Sequence, residues 1–416
     1  MPSGGARETI LVITGDPLVP VSAGGAARLF RMIGFLRESG FRIELLTPYY
    51  GRSASRELRR YVDAVHVCGG TMAMLRHWGK ELLPSGMSRR VIGALDKRIR
   101  LRDAQRRAEL VKGAPSSFVI RKINPSLCDA AKPLLERLHP RAVIGIYAWT
   151  AMALESAPAD TLKIIDTIDI QHLRRARAQE AGSDLPWHAC TREEEMHELS
   201  RADVLIAIQR HEEKQLREMC PEKRVILAEH AEDTRTPLPS PADSKTVLFV
   251  GSQYDPNVQG IRRFMETAWP QIRAAVPEAE LVICGTVCDG LETVPQGVTK
   301  LGRVPTLEPY YRQAAVVINP VPYGSGMKIK SVEALAFGKC LVTTLSGVTG
   351  LEDEPGAPFH ISGIEDMAGP IVDLLRDPTL RAQKEQETHR YARERFSAQR
   401  VYRELERVLR EGIGAK

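Results

Sequence analysis

Two series of short runs dominated by valine, isoleucine and leucine constrain the fold more than any other feature. The first is "TILVITG" (9–15), "FRIELLTPYY" (41–50), "AVIGIY" (142–147), "LKIIDTID" (162–169) and "VLIAIQ" (204–209). The second is "TVLFVGS" (246–252), "AELVICG" (279–285), "AAVVINPV" (314–321) and "CLVTT" (340–344). Near-continuous apolar strands belong to parallel sheets covered on both faces. Helical patterns lie between them, such as "SAGGAARLFRMIGFLRESG" (22–40), which Gly40 ends, and "VQGIRRFMETAWPQIRAAV" (258–276). The two series are separated by "EDTRTPLPSPADSK" (232–245), a polar, Pro- and Ser-rich stretch without periodicity that reads as a linker.

A chain of 416 residues is too long for a single core. The reading is an α/β protein of two Rossmann-like, doubly wound parallel-sheet domains facing a cleft. The expected bounds are 1–235 for the first domain and 236–392 for the second, with a helix over 393–416 packing back toward the first. A capping box at Thr191 and Glu194 starts one helix, and it makes Glu193, Glu194 and Glu195 cap and surface charge rather than catalytic acids.

Composition excludes several classes. Charged residues make up 26% and apolar residues 43%, as in ordinary soluble proteins, and no apolar run reaches the roughly 18 residues of a membrane span. The apolar stretch near the start is too short for a signal peptide's core. Seven scattered cysteines suit a reducing cytoplasm. Neither Cys284 with Cys288 nor His188 with Cys190 has zinc spacing with a second pair, so no protein-bound metal is expected. The net charge of +6 is unevenly spread: residues 76–122 hold 13 Lys and Arg against 4 Asp and Glu. That run reads as a solvated face or as a contact with an anionic membrane surface. Nucleic-acid motifs with interleaved aromatics are absent from the sequence, so no nucleic-acid partner is expected.

Chemistry concentrates in "NPVPYGSGMKIKSVEALAFGKCLVTT" (319–344). Gly324, Ser325 and Gly326 permit a tight turn that exposes amides at a helix start, and Lys328 adds a positive charge suited to a diphosphate. Glu333, one to two turns in, could accept hydrogen bonds from the hydroxyls of a ribose. The bland alternative pairs Lys330 with Glu333 on the helix surface. Gly24 and Gly25 follow the first strand and open a helix, but they are not the G-x-G-x-x-G dinucleotide fingerprint.

Three segments in order resemble bacterial glycosyltransferases of family 4, which are retaining enzymes of the GT-B fold. They are "IIDTIDIQHLRR" with "EEEMHELSRADVLIAIQRHE", "VLFVGSQYDPNVQGIRRFMETAWPQIRAAVPEAELVICG", and "LGRVPTLEPYYRQAAVVINPVPYGSGMKIKSVEALAFGKCLVTTLSGVTGLE". The resemblance covers roughly residues 160–355 and is weak over 70–140. It implies sugar transfer from a nucleotide-sugar donor to an acceptor hydroxyl of a glycan, glycolipid or protein, in bacterial surface polysaccharide synthesis. The implied place is the cytoplasm or the inner face of the membrane, with no cofactor or metal beyond the donor. Gly24 and Gly25 look like the loop facing the donor phosphates and sugar. Gly324, Ser325, Gly326, Met327 and Lys328 look like the diphosphate loop, Glu333 like the ribose ligand, and the backbone at Arg303 like the base-contacting edge. Asp169 and His172 stand where relatives place active-site polar groups, so with Lys328 they are the catalytic candidates.

Two departures stand out. Ser325 replaces the first glutamate of the family's E-x7-E element, and "GSQYDPNVQGIRRF" lacks the Arg…Lys pair that many relatives place on the diphosphate. The phosphate work then falls to Lys328. A non-catalytic nucleotide-sugar-binding relative and a GT-B-like epimerase are the alternatives.

Overall fold

The computed structural model describes residues 7–19, 24–48, 51–68, 105–106, 122–173, 190–234, 237–324, 327–351 and 356–412. The basic run 76–122 lies outside them apart from 105–106 and Lys122. The chain forms two compact units, Met1–Glu229 with Tyr402–Lys416, and His230–Val401. The boundaries therefore fall at Glu229/His230 and at Tyr402, where the sequence suggested 235 and 393. The Glu232 amide donates to the Phe396 carbonyl (2.9 Å), which holds both displaced stretches in the second unit. Arg381, fully buried, donates to Ser240 Oγ and to the carbonyls of Pro241 and Ala242, and Glu385 accepts from the Ser240 amide. The Pro- and Ser-rich stretch is thereby strapped to the second unit.

In the first unit the elements run β1 (Thr9–Ile13), α1 (Gly24–Glu38), β2 (Arg42–Pro48), α2 (Arg52–Leu58), β3 (Ala64–Cys68), α3 (Pro125–Leu138), β4 (Ala142–Ile146), β5 (Leu162–Asp166), α4 (Arg192–Leu199), β6 (Val204–Ala207), α5 (Arg210–Met219) and β7 (Arg224–Leu227). The strands are parallel, in the order β3-β2-β1-β4-β5-β6-β7. Every residue of β4 and β6 is buried, as central parallel strands require. Leu11, Ile13, Val143, Ile165 and Leu205 form the core with residues of α3 and α5. The Thr191–Glu194 capping box is present at the start of α4.

The second unit contains β8 (Thr246–Val250), α6 (Asp255–Ala275), β9 (Glu280–Cys284), β10 (Val298–Gly302), α7 (Glu308–Gln313), β11 (Ala314–Asn319), α8 (Ile329–Ala336), β12 (Leu341–Thr343), β13 (His360–Ile361), α9 (Ala368–Arg376), α10 (Pro378–Phe396) and α11 (Ala398–Val401). Its parallel order is β10-β9-β8-β11-β12-β13. The last helix, α12 (Arg403–Glu411), belongs to the first unit, where Arg141 donates to the carbonyls of Leu409 and Arg410. Each sheet reverses its winding once, between β1 and β4 and between β8 and β11. Ligands of open α/β sheets bind at the carboxyl ends of strands beside such crossings. Among the described residues no helix is long and apolar enough to cross a membrane.

Candidate active site

The second unit brings four of the sequence candidates onto one loop and helix at the β8/β11 crossing. Residues 320–323 of the loop from β11 to α8 are pinned one after another. Gly260 of α6 lies against Pro320, where a Cβ would collide with the carbonyl. Thr344 Oγ1 donates to the Val321 carbonyl (2.5 Å) and Ser346 Oγ to that of Pro322 (3.1 Å). Tyr323 Oη donates to Asp255 Oδ2 (2.7 Å), and burial with this carboxylate pushes the phenol up to about 12. The chain then turns at Gly324, whose φ of 145° suits only glycine. A Cβ there would stand 3.1 Å from Lys328 Nζ, so the lysine side chain folds back over the turn. Ser325 and Gly326 lie outside the described residues, and Met327 is buried.

Lys328 is the N-cap of α8, and no side chain caps that helix start. The Ser331 amide turns in to the Lys328 carbonyl (2.8 Å), and the amides ahead of it are those a helix start offers to an acceptor. Glu333 faces the fully buried Tyr311 of α7, whose Oη donates to Glu333 Oε2 (3.0 Å). Burial first, then the Glu333 charge, hold the Tyr311 phenol well above its ordinary value, so it stays a donor. Phe337 stacks on Tyr311 with ring centroids 4.4 Å apart. Glu333 is a fixed carboxylate, which is what recognition of two adjacent hydroxyls would need. Lys330 does not pair with Glu333. It is half-buried, and its ammonium donates to Asn257 Oδ1 in the first turn of α6. Arg303 is exposed just beyond β10.

The first unit gathers the other candidates at its own crossing. Gly24 and Gly25 open α1, and a Cβ on Gly25 would stand 3.2 Å from Tyr147 Oη. Tyr147, past β4 and at φ 69°, stacks on Trp149 at 4.2 Å, and Lys122 Nζ lies 5.6 Å from the Trp149 ring centroid. Arg28 of α1 forms a buried two-pronged pair with Asp166 at the end of β5 (3.0 and 3.2 Å) and donates to the Glu229 carbonyl (2.5 Å). This pair ties the glycine-led helix to the strand that carries the remaining two candidates.

Those two follow a strained corner. Ile168 sits at φ 59°, unusual for a β-branched residue, and the Asp169 amide donates back to the Thr167 carbonyl (2.6 Å). Asp169 is almost fully buried. Glu195 Oε1 accepts from the Gln171 amide (2.8 Å), and its Oε2 accepts from the His172 amide (3.0 Å) and bonds His172 Nδ1 (2.8 Å). Glu195 is therefore not the surface charge its sequence context suggested. It is 1% exposed and fixes the orientation of the His172 ring.

Residues 244–377 match the family model described as "Glycosyl transferases group 1". The second unit is a group 1 glycosyltransferase domain. The matched stretch spans β8 through α9 and holds the pinned loop, Lys328, Lys330 and Glu333. No protein of curated function matches the chain at the level of sequence. Solved structures show the fold. A variant of S. aureus TarM, in complex with fondaparinux, α-GlcNAc-glycerol and UDP, is 11% identical with a TM-score of 0.68, and the match covers 97% of this chain and 100% of TarM. The sucrose-phosphate synthase of Thermosynechococcus elongatus is 16% identical with a TM-score of 0.65, covering 97% and 99%. Anabaena HepE, in complex with UDP and glucose, is 13% identical with a TM-score of 0.62, covering 97% and 100%. The fold of this glycosyltransferase is GT-B.

Sequence reasoning missed Asn257, Tyr311 and the Tyr147–Trp149 pair, and it read Lys330 and Glu195 as surface charges. Only the "MKIK" doublet carried a signal, since it sets two lysines two residues apart at one helix start. Among the described residues no group of three or more His, Cys, Asp or Glu could hold a metal ion.

Proposed function

We propose that the second unit binds a nucleoside diphosphate sugar at the start of α8 and that the protein transfers the sugar to an acceptor hydroxyl with retention. The observation that carries this reading is the pinned β11–α8 loop with Glu333 locked behind it, inside the stretch matching the group 1 glycosyltransferases. TarM and HepE were solved with UDP, which makes uridine the first donor base to test.

In this scheme the bond between the anomeric carbon and the phosphate oxygen breaks, and negative charge grows on the departing diphosphate. The first amides of α8 and Lys328 stabilise that charge as it forms. Glu333 holds the ribose, and the backbone beyond β10 at Arg303 meets the base. The acceptor oxygen attacks on the face the diphosphate leaves, and its proton passes to the leaving phosphate oxygen. Asp169 and His172 contact sugar or acceptor, and Gly24 and Gly25 face the donor phosphates. The scheme needs no cofactor or protein-bound metal.

The basic composition of residues 76–122 supports an acceptor at an anionic membrane surface, such as a lipid-linked surface glycan, and hence peripheral action at the inner face. Flotation with anionic liposomes at low salt checks that part, and failure to bind removes it. A thermal-shift screen of UDP-, GDP-, ADP-, CMP- and dTDP-sugars, followed by donor hydrolysis assays, tests the core. Stabilisation and turnover of one donor class is expected. Absence of any nucleotide-dependent shift contradicts the reading.

A further inference from the structure

Lys330 carries an unusual environment for a lysine. It stands in the first turn of α8, its Nζ lies 5.0 Å from the Phe249 ring centroid in β8, and its ammonium donates to Asn257 Oδ1 in α6. Among the described residues no carboxylate pairs with it. Asn257 is itself oriented, because its Nδ2 donates to the Ser252 carbonyl (3.0 Å) and Oγ (3.3 Å). This leaves the amide oxygen for the lysine. A neutral acceptor thus positions the ammonium without neutralising it.

A half-buried cation lacking a counter-charge is costly unless an anion completes the site. Lys328, on the same loop, is the charged group whose field acts on Lys330. Asn257 and Phe249, the groups it packs on from α6 and β8, carry no charge. The field of Lys328 adds to the cost of the charged form of Lys330, and an anion beside Lys330 offsets that cost. The location, between the strand ends at the β8/β11 crossing, is where the proposed donor places its diphosphate.

We infer that Lys330, held by Asn257, is the principal cation for the diphosphate of the donor and of the departing nucleotide. The inference rests on the nucleotide-sugar reading above. It places on Lys330 the cationic role expected of Lys328. A purely structural lysine here would be served better by a carboxylate at 257, and a purely apolar contact by a methionine at 330.

The test uses the full chain and measures binding of UDP, GDP and ADP by calorimetry and of the matching nucleosides by ligand-observed NMR. Lys330→Met is expected to weaken the bound diphosphate about 10- to 100-fold, the range of a lost charge-assisted hydrogen bond, with nucleoside binding changed less than about 2-fold. Lys330→Arg keeps most of the diphosphate affinity. Asn257→Asp, which leaves the lysine in place but neutralises it, is expected to weaken the diphosphate while raising thermal stability. Lys330→Met or Asn257→Asp with wild-type diphosphate affinity overturns the assignment and leaves the donor reading intact. Equal loss of nucleoside and diphosphate in Lys330→Met also overturns it. A wild-type protein that binds none of the three diphosphates overturns the donor reading itself.

Discussion

Replacing Lys330 with methionine should stabilise the unliganded protein, by an amount that depends on pH in a defined direction. Burial first, and Lys328 second, lower the Lys330 pKa from 10.5 to about 7. That difference corresponds to at most about 5 kcal/mol against the charged form. Below pH 7 the lysine is protonated in both folded and unfolded chains, and the folded state bears the whole penalty. Between pH 7 and 10.5 the unfolded chain binds the extra proton, so wild-type stability rises with pH. Methionine has no such term. The stability gap in favour of Lys330→Met should therefore be largest near pH 6.5 and shrink by up to about 1.4 kcal/mol for each pH unit, to about 1.5 kcal/mol near pH 9.5. Urea titrations of both proteins at four pH values between 6.5 and 9.5 read this directly, with m-values compared to confirm that the same surface unfolds. A gap that stays constant with pH, or a Lys330→Met protein less stable throughout, refutes the reasoning. The stability gained at the cost of binding is the exchange expected of a functional site.

Tyr311→Phe removes the donor that holds Glu333 Oε2 and should weaken nucleoside diphosphate binding about 5- to 20-fold by calorimetry, whereas unchanged affinity would separate Tyr311 from the site. Glu195→Gln loosens the His172 ring and should lower kcat about 10-fold or more with donor KM within about 2-fold, and a KM effect alone would argue against a catalytic place for His172. Arg28→Met strands the buried Asp166 carboxylate and should cost about 3–5 kcal/mol in chemical denaturation, with a loss below about 1 kcal/mol contradicting the pair's role. Gly260→Ala drives a Cβ into the Pro320 carbonyl and should displace the donor loop, seen as lower nucleotide affinity and a lower Tm.

The central strands could be read directly because burial on both faces demands uninterrupted apolar residues. Edge strands could not. β10 is mostly exposed and reads "VTKLG", and β13 has two exposed residues, so neither shows the apolar signature. The helix start at Lys328 and the position of Glu333 follow from glycine placement and spacing within one short segment. Their supporting residues come from far along the chain. Asn257 lies 73 residues from Lys330, and Arg28 lies 138 from Asp166, distances that local patterns do not encode. Glu195 shows the same limit. In "TREEEMHELS" three consecutive glutamates look alike, and only tertiary packing puts Glu195 under His172.

The start of α8 is the proposed seat of a nucleoside diphosphate, and a crystal of the protein grown with UDP examines this most directly. The prediction is a diphosphate within hydrogen-bond distance of the α8 amides and the Lys330 ammonium, with the ribose hydroxyls on Glu333. Nucleotide bound away from both Lys330 and Glu333 would contradict it.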